Sequence, residues 1–238
     1  MLALAAVLCV AGSAQAADRI EIGRSVQNRP IVAFESGPAD ARLKVLVVGA
    51  IHGDETAGMR IARLLIALGA PGAAEITVVP TLNPDGVAAG TRGNAHGVDL
   101  NRNFPYRWRP LTGGEYSGPH PLSEPESRAA QRLLLSQRPD VTIWFHQPFG
   151  LIDRPEGNPF AAHRFADLID LPFVRLPGPY PGSASRWQNH HFQDSTAFVA
   201  ELPPKVSNSL IRRGATAIYR LAAELGSPEL GALRRVAP

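Results

Sequence analysis

Short apolar runs alternate along this chain with stretches in which apolar residues recur every three or four positions. The runs at 45–48, 76–79 and 141–145 are nearly continuous, as in strands that are buried on both faces of a sheet. Between the first two runs, apolar residues fall on one face of a predicted helix, at Ile61, Leu64, Leu65 and Leu68. Strands that alternate with helices in this way predict an α/β fold.

Both ends of the chain continue this alternation. Extended stretches at 20–22 and 31–34 are spaced to pair as a hairpin at one edge of the sheet. The downstream patterns predict two helices and two short strands, the helices at 160–169 and 211–225 and the strands at 173–174 and 196–200. No internal repeat or linker interrupts the pattern, so we expect a single-domain α/β/α sandwich with a mixed central sheet.

A long polar region separates the second and third buried strands. Residues 83–86 (Asn-Pro-Asp-Gly) predict a turn, and residues 87–122 predict a loop whose length is typical of a functional segment. The next four residues, 123–126 (Ser-Glu-Pro-Glu), match a capping box. Ser123 is therefore predicted to cap a helix, and Glu126 to return to that cap.

The first 16 residues differ from the rest because they carry no charge and end in small residues. Residues 1–16 join an apolar stretch to Ala14-Gln15-Ala16, which has the shape of a secretory cleavage site. No Lys or Arg precedes the apolar stretch, and a buried N-terminal strand or helix is the alternative. We expect a signal peptide at 1–16, a catalytic domain at 17–238, and export to the periplasm or the cell exterior.

Composition excludes several classes of protein. The 24 Lys and Arg residues barely exceed the 21 Asp and Glu residues, and no basic run predicts nucleic-acid binding. The single cysteine, Cys9, lies in the predicted signal peptide, so neither disulfide bonds nor cysteine-bound zinc is expected. No later apolar run approaches the roughly 20 residues of a membrane-spanning helix, so stable membrane insertion is not expected.

Four polar residues follow predicted strands, where sites gather in α/β sheets. His52 and Glu55 follow the first buried strand, His146 follows the third, and Glu201 follows the last strand. Two histidines and a glutamate that leave one position open form a catalytic zinc set. Taken alone, the spacing of His52 and Glu55 favours a simpler interpretation, a charge pair in the first turn of a helix.

The context changes that interpretation, because the whole series of motifs resembles the zinc carboxypeptidase family. The motifs come in the family's order, at 52–55, 83–86, Arg92, 97–105, His146 and Glu201. The resemblance covers about residues 44–203 and is closest to the murein peptide amidases, which cut between γ-D-glutamate and diaminopimelate in cell-wall peptides. Five blocks carry this closer resemblance, at 118–119, 123–126, 145–148, 182–187 and 200–204.

The resemblance implies a role for each matching residue. His52, Glu55 and His146 match the ligands of one zinc ion per chain. Glu201 matches the general base that takes a proton from the zinc-activated water and passes it to the leaving amine. Arg92 matches the residue that polarises the scissile carbonyl and stabilises the oxyanion.

Three further residues match groups that surround this centre. Asn101 and Arg102 match the pair that holds the terminal carboxylate of the substrate, a task that suits the planar fork of a guanidinium. Asp99 matches a carboxylate that orients one of the ligand histidines. The polar segment 178–193, which includes Arg186, is predicted to line the pocket for diaminopimelate.

The other histidines and tryptophans suggest simpler roles. We expect three solvated histidines and two tryptophans that pack in the core, namely His96, His120, His163, Trp144 and Trp187. Whether His190 or His191 lines the pocket stays open.

Two other functions also stay open. A zinc deacylase of the aspartoacylase or succinylglutamate desuccinylase type has a similar triad and an Asp-Leu-Asn-Arg stretch, although the blocks at 123–126 and 200–204 speak against it. A non-catalytic wall-binding protein would keep the fold and lose the base, whereas Glu201 is present. The favoured prediction is an exported zinc amidase or carboxypeptidase that acts on a peptide, most simply a murein peptide.

Overall fold

In residues 17–229, which the computed structural model describes, eight strands form one sheet. The strands are β1 (Asp18–Arg24), β2 (Pro30–Ser36), β3 (Leu43–Val48), β4 (Ala74–Val79), β5 (Val141–His146), β6 (Leu151–Asp153), β7 (Phe173–Val174) and β8 (Thr196–Glu201). Their order across the sheet is β1-β2-β4-β3-β5-β8-β6-β7. The predicted signal peptide at 1–16 lies outside the described residues.

The centre of the sheet is parallel and its margins are mixed. Strands β4, β3, β5 and β8 run parallel to one another, so their carboxyl ends meet along one edge. Strand β2 pairs antiparallel with β4, and β6 pairs antiparallel with β8. The predicted hairpin of β1 and β2 at one edge is confirmed.

Helices cover both faces of the sheet. They are α1 (Ala57–Leu68), α2 (Pro84–Ala89), α3 (Pro125–Gln137), α4 (Phe160–Ile169), α5 (Ala184–His191) and α6 (Asn208–Gly226). Alternation along β3 separates two cores: Val45 and Val47 pack with α1, α4 and α6, whereas Leu46 and Val48 pack with α3 and α5. The predicted α/β/α sandwich with a mixed sheet is confirmed.

The long region after β4 also contributes to the second core. Leu100 and Phe104 are fully buried there, beside Trp144 and Trp187. The two tryptophans therefore pack as predicted. Of the apolar residues predicted on one face of α1, Ile61 and Leu65 are buried, whereas Leu68, next to the end of the helix at Gly69, is exposed.

The predicted capping box at 123–126 is wrong. Helix α3 begins at Pro125, and Glu124 precedes it without a side-chain cap. Both Glu124 and Glu126 are buried and accept hydrogen bonds from Nδ2 of Asn94, at 2.7 and 3.0 Å. These carboxylates bind the long loop to α3, a tertiary role that the local spacing of the residues cannot reveal.

The turn predicted at 83–86 is the start of a helix instead. The Asn83 side chain accepts a hydrogen bond from the main-chain N–H of Gly86 and caps α2, whose first residue is Pro84. Most of 87–122 is irregular, as predicted, with short 3-10 helices at Leu100–Arg102 and Gly113–Glu115. Within 17–229, no helix is both long and apolar enough to span a bilayer.

Candidate active site

Three potential metal ligands meet where β3 and β5 end. His146 is the last residue of β5, and His52 and Glu55 lie in the segment that leaves β3. The Nδ1 atoms of the two histidines are 3.2 Å apart. The Glu55 carboxylate lies 3.0 Å from Nδ1 of His52 and 2.9 Å from Nδ1 of His146.

The donor atoms of this triad fit a metal ion such as zinc. With metal–ligand bonds of about 2.0–2.2 Å, the donors of a tetrahedral zinc site lie roughly 3.4 Å apart, close to the separations found here. His52, Glu55 and His146 are all buried, and their donor atoms lie within 4.8 Å of one another. Two imidazole nitrogens and one carboxylate are also the ligand types of catalytic zinc sites.

The backbone that carries His52 and Glu55 differs from the prediction. The two residues lie in a turn that precedes α1, not in the first turn of a helix. Gly53, within this turn, allows a close approach: a Cβ there would come within 1.9 Å of the Gly86 main chain. The first residue of α1 is held by the Gln147 side chain, whose Oε1 accepts a hydrogen bond from the Ala57 N–H at 3.0 Å.

Asp99 and Arg92 connect the long loop to the triad. Oδ1 of Asp99 lies 2.9 Å from Nε2 of His52, which orients the ring so that Nδ1 faces the triad. Arg92 donates from Nε to Asp99 at 3.0 Å and from Nη1 to Glu55 at 2.9 Å. Burial opposes the charge on Asp99, but the His52 hydrogen bond and the charges of His52 and Arg92 hold its pKa well below the ordinary range.

The two histidines of the triad respond differently to burial. Burial lowers the pKa of His146, which favours the neutral ring that can bind a metal. Burial has the same tendency at His52, but the hydrogen bonds with Asp99 and Glu55 outweigh it and raise the pKa of this residue. A metal ion would therefore compete with a proton for Nδ1 of His52.

Glu201 faces the triad from the next strand. It ends β8, and its Cα is paired with that of His146 in the parallel register of β5 and β8. Burial, and then the negative charge of Glu55, raise the pKa of Glu201 to about 7. Its Oε2 atom is buried without a hydrogen-bond partner among the described residues.

Arg102 and Asn101 form a polar wall beside this centre. The Arg102 guanidinium is buried and donates a hydrogen bond to Glu115. It lies 5.5 Å from the centre of the Tyr180 ring, and its Nε has no hydrogen-bond partner in 17–229. Asn101 Oδ1 accepts from the main-chain N–H of Ala184 at 3.0 Å. Arg102 is thus already bound to a carboxylate, the group that the resemblance assigns to it.

Gly182 allows this wall to form. A Cβ at Gly182 would lie 2.1 Å from the carbonyl oxygen of Arg102, and its φ of 71° is in the region that favours glycine. Gly182 also donates to the Tyr106 carbonyl and accepts from the Phe104 N–H. The close approach therefore binds the long loop to the segment that precedes α5.

One cavity of about 260 Å³ collects nearly all of the predicted site residues. The predicted residues that line it are His52, Glu55, Arg92, Asn101, Arg102, His146 and Glu201, and Asp99 lies behind His52. Four residues of the predicted pocket segment also line it, namely Tyr180, Ser183, Ser185 and Arg186. The sequence analysis assigned no role in the pocket to the other seven lining residues, which are Glu115, Gln147, Pro148, Phe149, Asp153, Leu176 and Val199.

The other histidines lie outside this cavity. His190 stacks on Tyr106 at 4.2 Å between ring centres, and His191 stacks on Trp187 at 5.2 Å. His96 lies mostly in solvent, with Nδ1 at 2.8 Å from Glu124. Neither His190 nor His191 lines the pocket, which resolves the alternative that the sequence left open.

Comparison with known proteins gives matches in two related groups. A family model described as the succinylglutamate desuccinylase/aspartoacylase catalytic domain matches residues 41–147. Murein peptide amidase A of Escherichia coli (strain K12) is 32% identical over 200 residues, which cover 76% of this chain and 80% of the relative. Murein peptide amidase A of Vibrio campbellii is 31% identical over 216 residues, with 84% and 85% covered.

Structural comparison agrees with the sequence matches. The crystal structure of murein-tripeptide amidase from Escherichia coli O157 matches with a TM-score of 0.70 at 28% identity. The match covers 86% of this chain and 91% of that chain. The likeness therefore extends over most of both folds.

The raised pKa of Glu201 predicts a pH-dependent cost to stability in metal-free protein. A shift from 4.5 to about 7 corresponds to at most about 3 kcal/mol. Below pH 4.5, Glu201 is protonated in both the folded and the unfolded chain. Between pH 4.5 and 7, the unfolded chain loses this proton first. Folded stability therefore falls across this window, and Glu201→Gln should remove that fall.

Urea unfolding of chelator-treated protein at pH 4.5 and pH 8 tests this expectation. Glu201→Gln should stabilise the protein by about 1–3 kcal/mol more at pH 8 than at pH 4.5. Glu21→Gln, on exposed β1, is the matched control and should show no such difference. An equal effect of Glu201→Gln at both pH values would contradict the assigned pKa.

The triad predicts about one tightly bound metal ion per chain. His52→Ala and His146→Ala should each abolish stoichiometric metal after dialysis, because two protein ligands remain. Asp99→Asn should weaken metal binding by about 10–100-fold, since it removes the carboxylate that orients His52. Metal content per chain is measured by mass spectrometry in all of these variants, with the exposed His163→Ala as control. Stoichiometric metal in His146→Ala would refute the ligand set.

Proposed function

The chain belongs to the zinc carboxypeptidase-like family of hydrolases, together with the murein peptide amidases, and from this membership we propose that it is a zinc-dependent amidase of cell-wall peptides. The bond proposed is the one between γ-D-glutamate and diaminopimelate. One observation carries the proposal. Glu201, a buried carboxylate with an oxygen that has no partner within 17–229, shares a cavity with a triad that could hold a metal ion and with the buried guanidinium of Arg102.

The triad and Glu201 divide the chemistry between them. A zinc ion, when bound, supplies a water molecule whose pKa falls from about 15.7 to near 7 and a positive charge close to the scissile carbonyl. Glu201 takes a proton from the attacking water and later gives it to the leaving amine. In the metal-free site, burial and the charge of Glu55 raise its pKa to about 7, and a bound cation would lower this pKa and favour the carboxylate form that accepts a proton.

Arg92 is proposed to stabilise the negative charge that develops on the carbonyl oxygen. A guanidinium has five N–H donors, so its hydrogen bonds to Asp99 and Glu55 leave donors for the substrate. The same two bonds fix the plane of the guanidinium before the substrate arrives. A preorganised donor of this kind is typically worth about 3–4 kcal/mol in the transition state.

Asn101 and Arg102 are proposed to bind the α-carboxylate of the residue that leaves. Burial of Arg102 strengthens its attraction for a carboxylate, and the exposed Glu115 now occupies one of its Nη atoms. The unpartnered Nε of Arg102 is a second donor on the same guanidinium. A substrate carboxylate that engages this guanidinium would place the scissile amide beside the triad.

A deacylase is the second candidate, because the desuccinylase/aspartoacylase model matches residues 41–147. That match includes the triad, Arg92 and Arg102, but it ends before Glu201 and the α5 segment. The two murein amidase relatives extend over most of the chain instead. A non-catalytic wall-binding role is disfavoured, since Glu201 lies in the cavity with the triad.

We also propose that the protein acts outside the cytoplasmic membrane, as residues 1–16 predict. This part of the proposal rests on the uncharged apolar stretch and the Ala14-Gln15-Ala16 site alone. N-terminal sequencing of protein from an exporting host should give Ala17 as the first residue. Intact Met1 in the cytosolic fraction would overturn it.

Product analysis of one defined peptide tests the proposed reaction. Zinc-loaded protein should convert L-Ala-γ-D-Glu-diaminopimelate to L-Ala-D-Glu and free diaminopimelate, as measured by mass spectrometry. N-acetylaspartate and succinylglutamate serve as deacylase substrates in parallel. Cleavage of these two and not of the tripeptide would replace the amidase by the deacylase.

Glu201→Gln is the matched variant for the mechanism. It should keep the fold and the metal while removing the proton acceptor, so the rate of tripeptide cleavage should fall by at least about 10²–10⁴-fold. Metal content measured on the same sample separates loss of the base from loss of zinc. Near wild-type turnover in Glu201→Gln would exclude it as the base.

A further inference from the structure

The far end of the cavity carries two opposite charges that the reaction does not use. Asp153 is the last residue of β6, and Arg186 lies in α5; both line the cavity that contains the triad. The two residues come from separate parts of the chain, and only Arg186 lies in the segment that the sequence predicted to form the pocket. An apolar side chain placed between them would offer neither residue a group of opposite charge.

Strand register fixes the distance between Asp153 and the reacting centre. Antiparallel pairing sets Leu151 opposite Glu201 and Ile152 opposite Ala200, so Asp153 falls beside Val199. Residues directly opposite in a pair point to the same face, as do residues two apart on one strand. Asp153 therefore shares the face of Glu201, about 7 Å further along β8 at roughly 3.4 Å per residue.

Asp153 is held in place as a carboxylate within the pocket wall. Its Oδ1 accepts a hydrogen bond from the Leu176 N–H at 2.8 Å. Burial raises the pKa of Asp153, and the positive charges of Arg186 and Arg175 oppose this rise. A cationic group from a substrate would add a favourable partner to a carboxylate that is partly removed from water.

Arg186 is held in place by the main chain on its other side. Its Nη1 donates to the Pro179 carbonyl at 2.7 Å and its Nη2 to the Gly178 carbonyl at 3.0 Å. The guanidinium also lies 5.1 Å from the centre of the Tyr180 ring. Nη1 of Arg186 also lies 3.7 Å from Oε1 of Glu156, a half-exposed residue at the rim. Arg186 is therefore a preorganised cation near, but not paired with, Asp153.

We propose that Asp153 and Arg186 together select the residue that follows the cleaved bond, with Asp153 binding an ammonium group and Arg186 a carboxylate at the end of its side chain. This assignment rests on the proposed function. Such a side chain ends in a second amino-acid centre, as in diaminopimelate. Its two α-carbons lie about 5 Å apart at C–C bonds of about 1.5 Å, a length of the same order as the step from Glu201 to Asp153 along β8.

Four tripeptides L-Ala-γ-D-Glu-X separate the two contacts. The final residue X is diaminopimelate, which has both end groups; lysine, with the ammonium only; 2-aminopimelate, with the carboxylate only; or 2-aminoheptanoate, with neither. Wild-type kcat/KM should be highest for diaminopimelate, by at least about 10²-fold over either single-group analogue, because each analogue leaves one charged group of the site unpaired.

Two variants then assign each preference to one residue. Asp153→Asn keeps an oxygen for the Leu176 N–H and should remove the preference for diaminopimelate over 2-aminopimelate. Arg186→Gln keeps amide donors for the two carbonyls and should remove the preference for diaminopimelate over lysine. Arg186→Lys should restore part of the preference for diaminopimelate over lysine. Glu156→Gln at the rim is the matched control and should have little effect on either preference.

The outcomes distinguish the pocket assignment from the proposed reaction. If wild-type protein cleaves all four peptides with similar kcat/KM, the assignment is wrong and the amidase stands. The assignment is also wrong if each variant lowers all four values equally, with unchanged melting temperature. If no tripeptide is cleaved, the proposed function fails and the assignment fails with it. Calorimetric binding of the four peptides to zinc-loaded Glu201→Gln should give the same order of affinities.

Discussion

The buried Asp99 carboxylate is the interaction on which the rest of this structure depends. It has no exposed surface and is bonded to His52, Arg92 and the Asn101 N–H. A charge buried to this degree is tolerated only when it is paired and hydrogen-bonded. Its partners come from the turn after β3 and from two points of the long loop, so the loop is bound to the sheet edge by the site itself.

Two other groups of the site, unlike Asp99, lower the stability of the folded protein. Oε2 of Glu201 and Nε of Arg102 are buried without partners in the described part of the chain, and the pKa of Glu201 is raised to about 7. Buried polar groups are nearly always satisfied in folded proteins, so unsatisfied ones call for an explanation. Both atoms border the same cavity, where a substrate would supply the missing partners. The cost of burying these two atoms is thus borne where the reaction needs reactive groups.

The sequence predicted the sheet and the triad because both depend on local pattern and strand order. Parallel strands bring their carboxyl ends together, so residues after β3, β5 and β8 had to meet. The helical turn predicted at His52 and Glu55 was wrong, because a three-residue spacing fits a turn as well as a helix. The capping box failed for a similar reason: Glu126 binds Asn94 and Val26, which are distant in sequence. Asp153 was missed because its position depends on the register of β6, a three-residue strand without a clear pattern.

The chain divides its chemistry between two halves, and this division accounts for the matches to two groups of hydrolases. The deacylase model matches 41–147, which holds the triad, Arg92 and Arg102, the groups proposed to bind a metal and the substrate. Metal-assisted hydrolysis uses groups of this kind whichever amide is cut, so this half carries little information about the substrate. Glu201, Asp153 and Arg186 lie beyond residue 147, on β8, β6 and α5. Because residues of α5 and β6 line the cavity, we infer that the choice between an acyl-amino acid and a wall peptide is made in the second half of the chain.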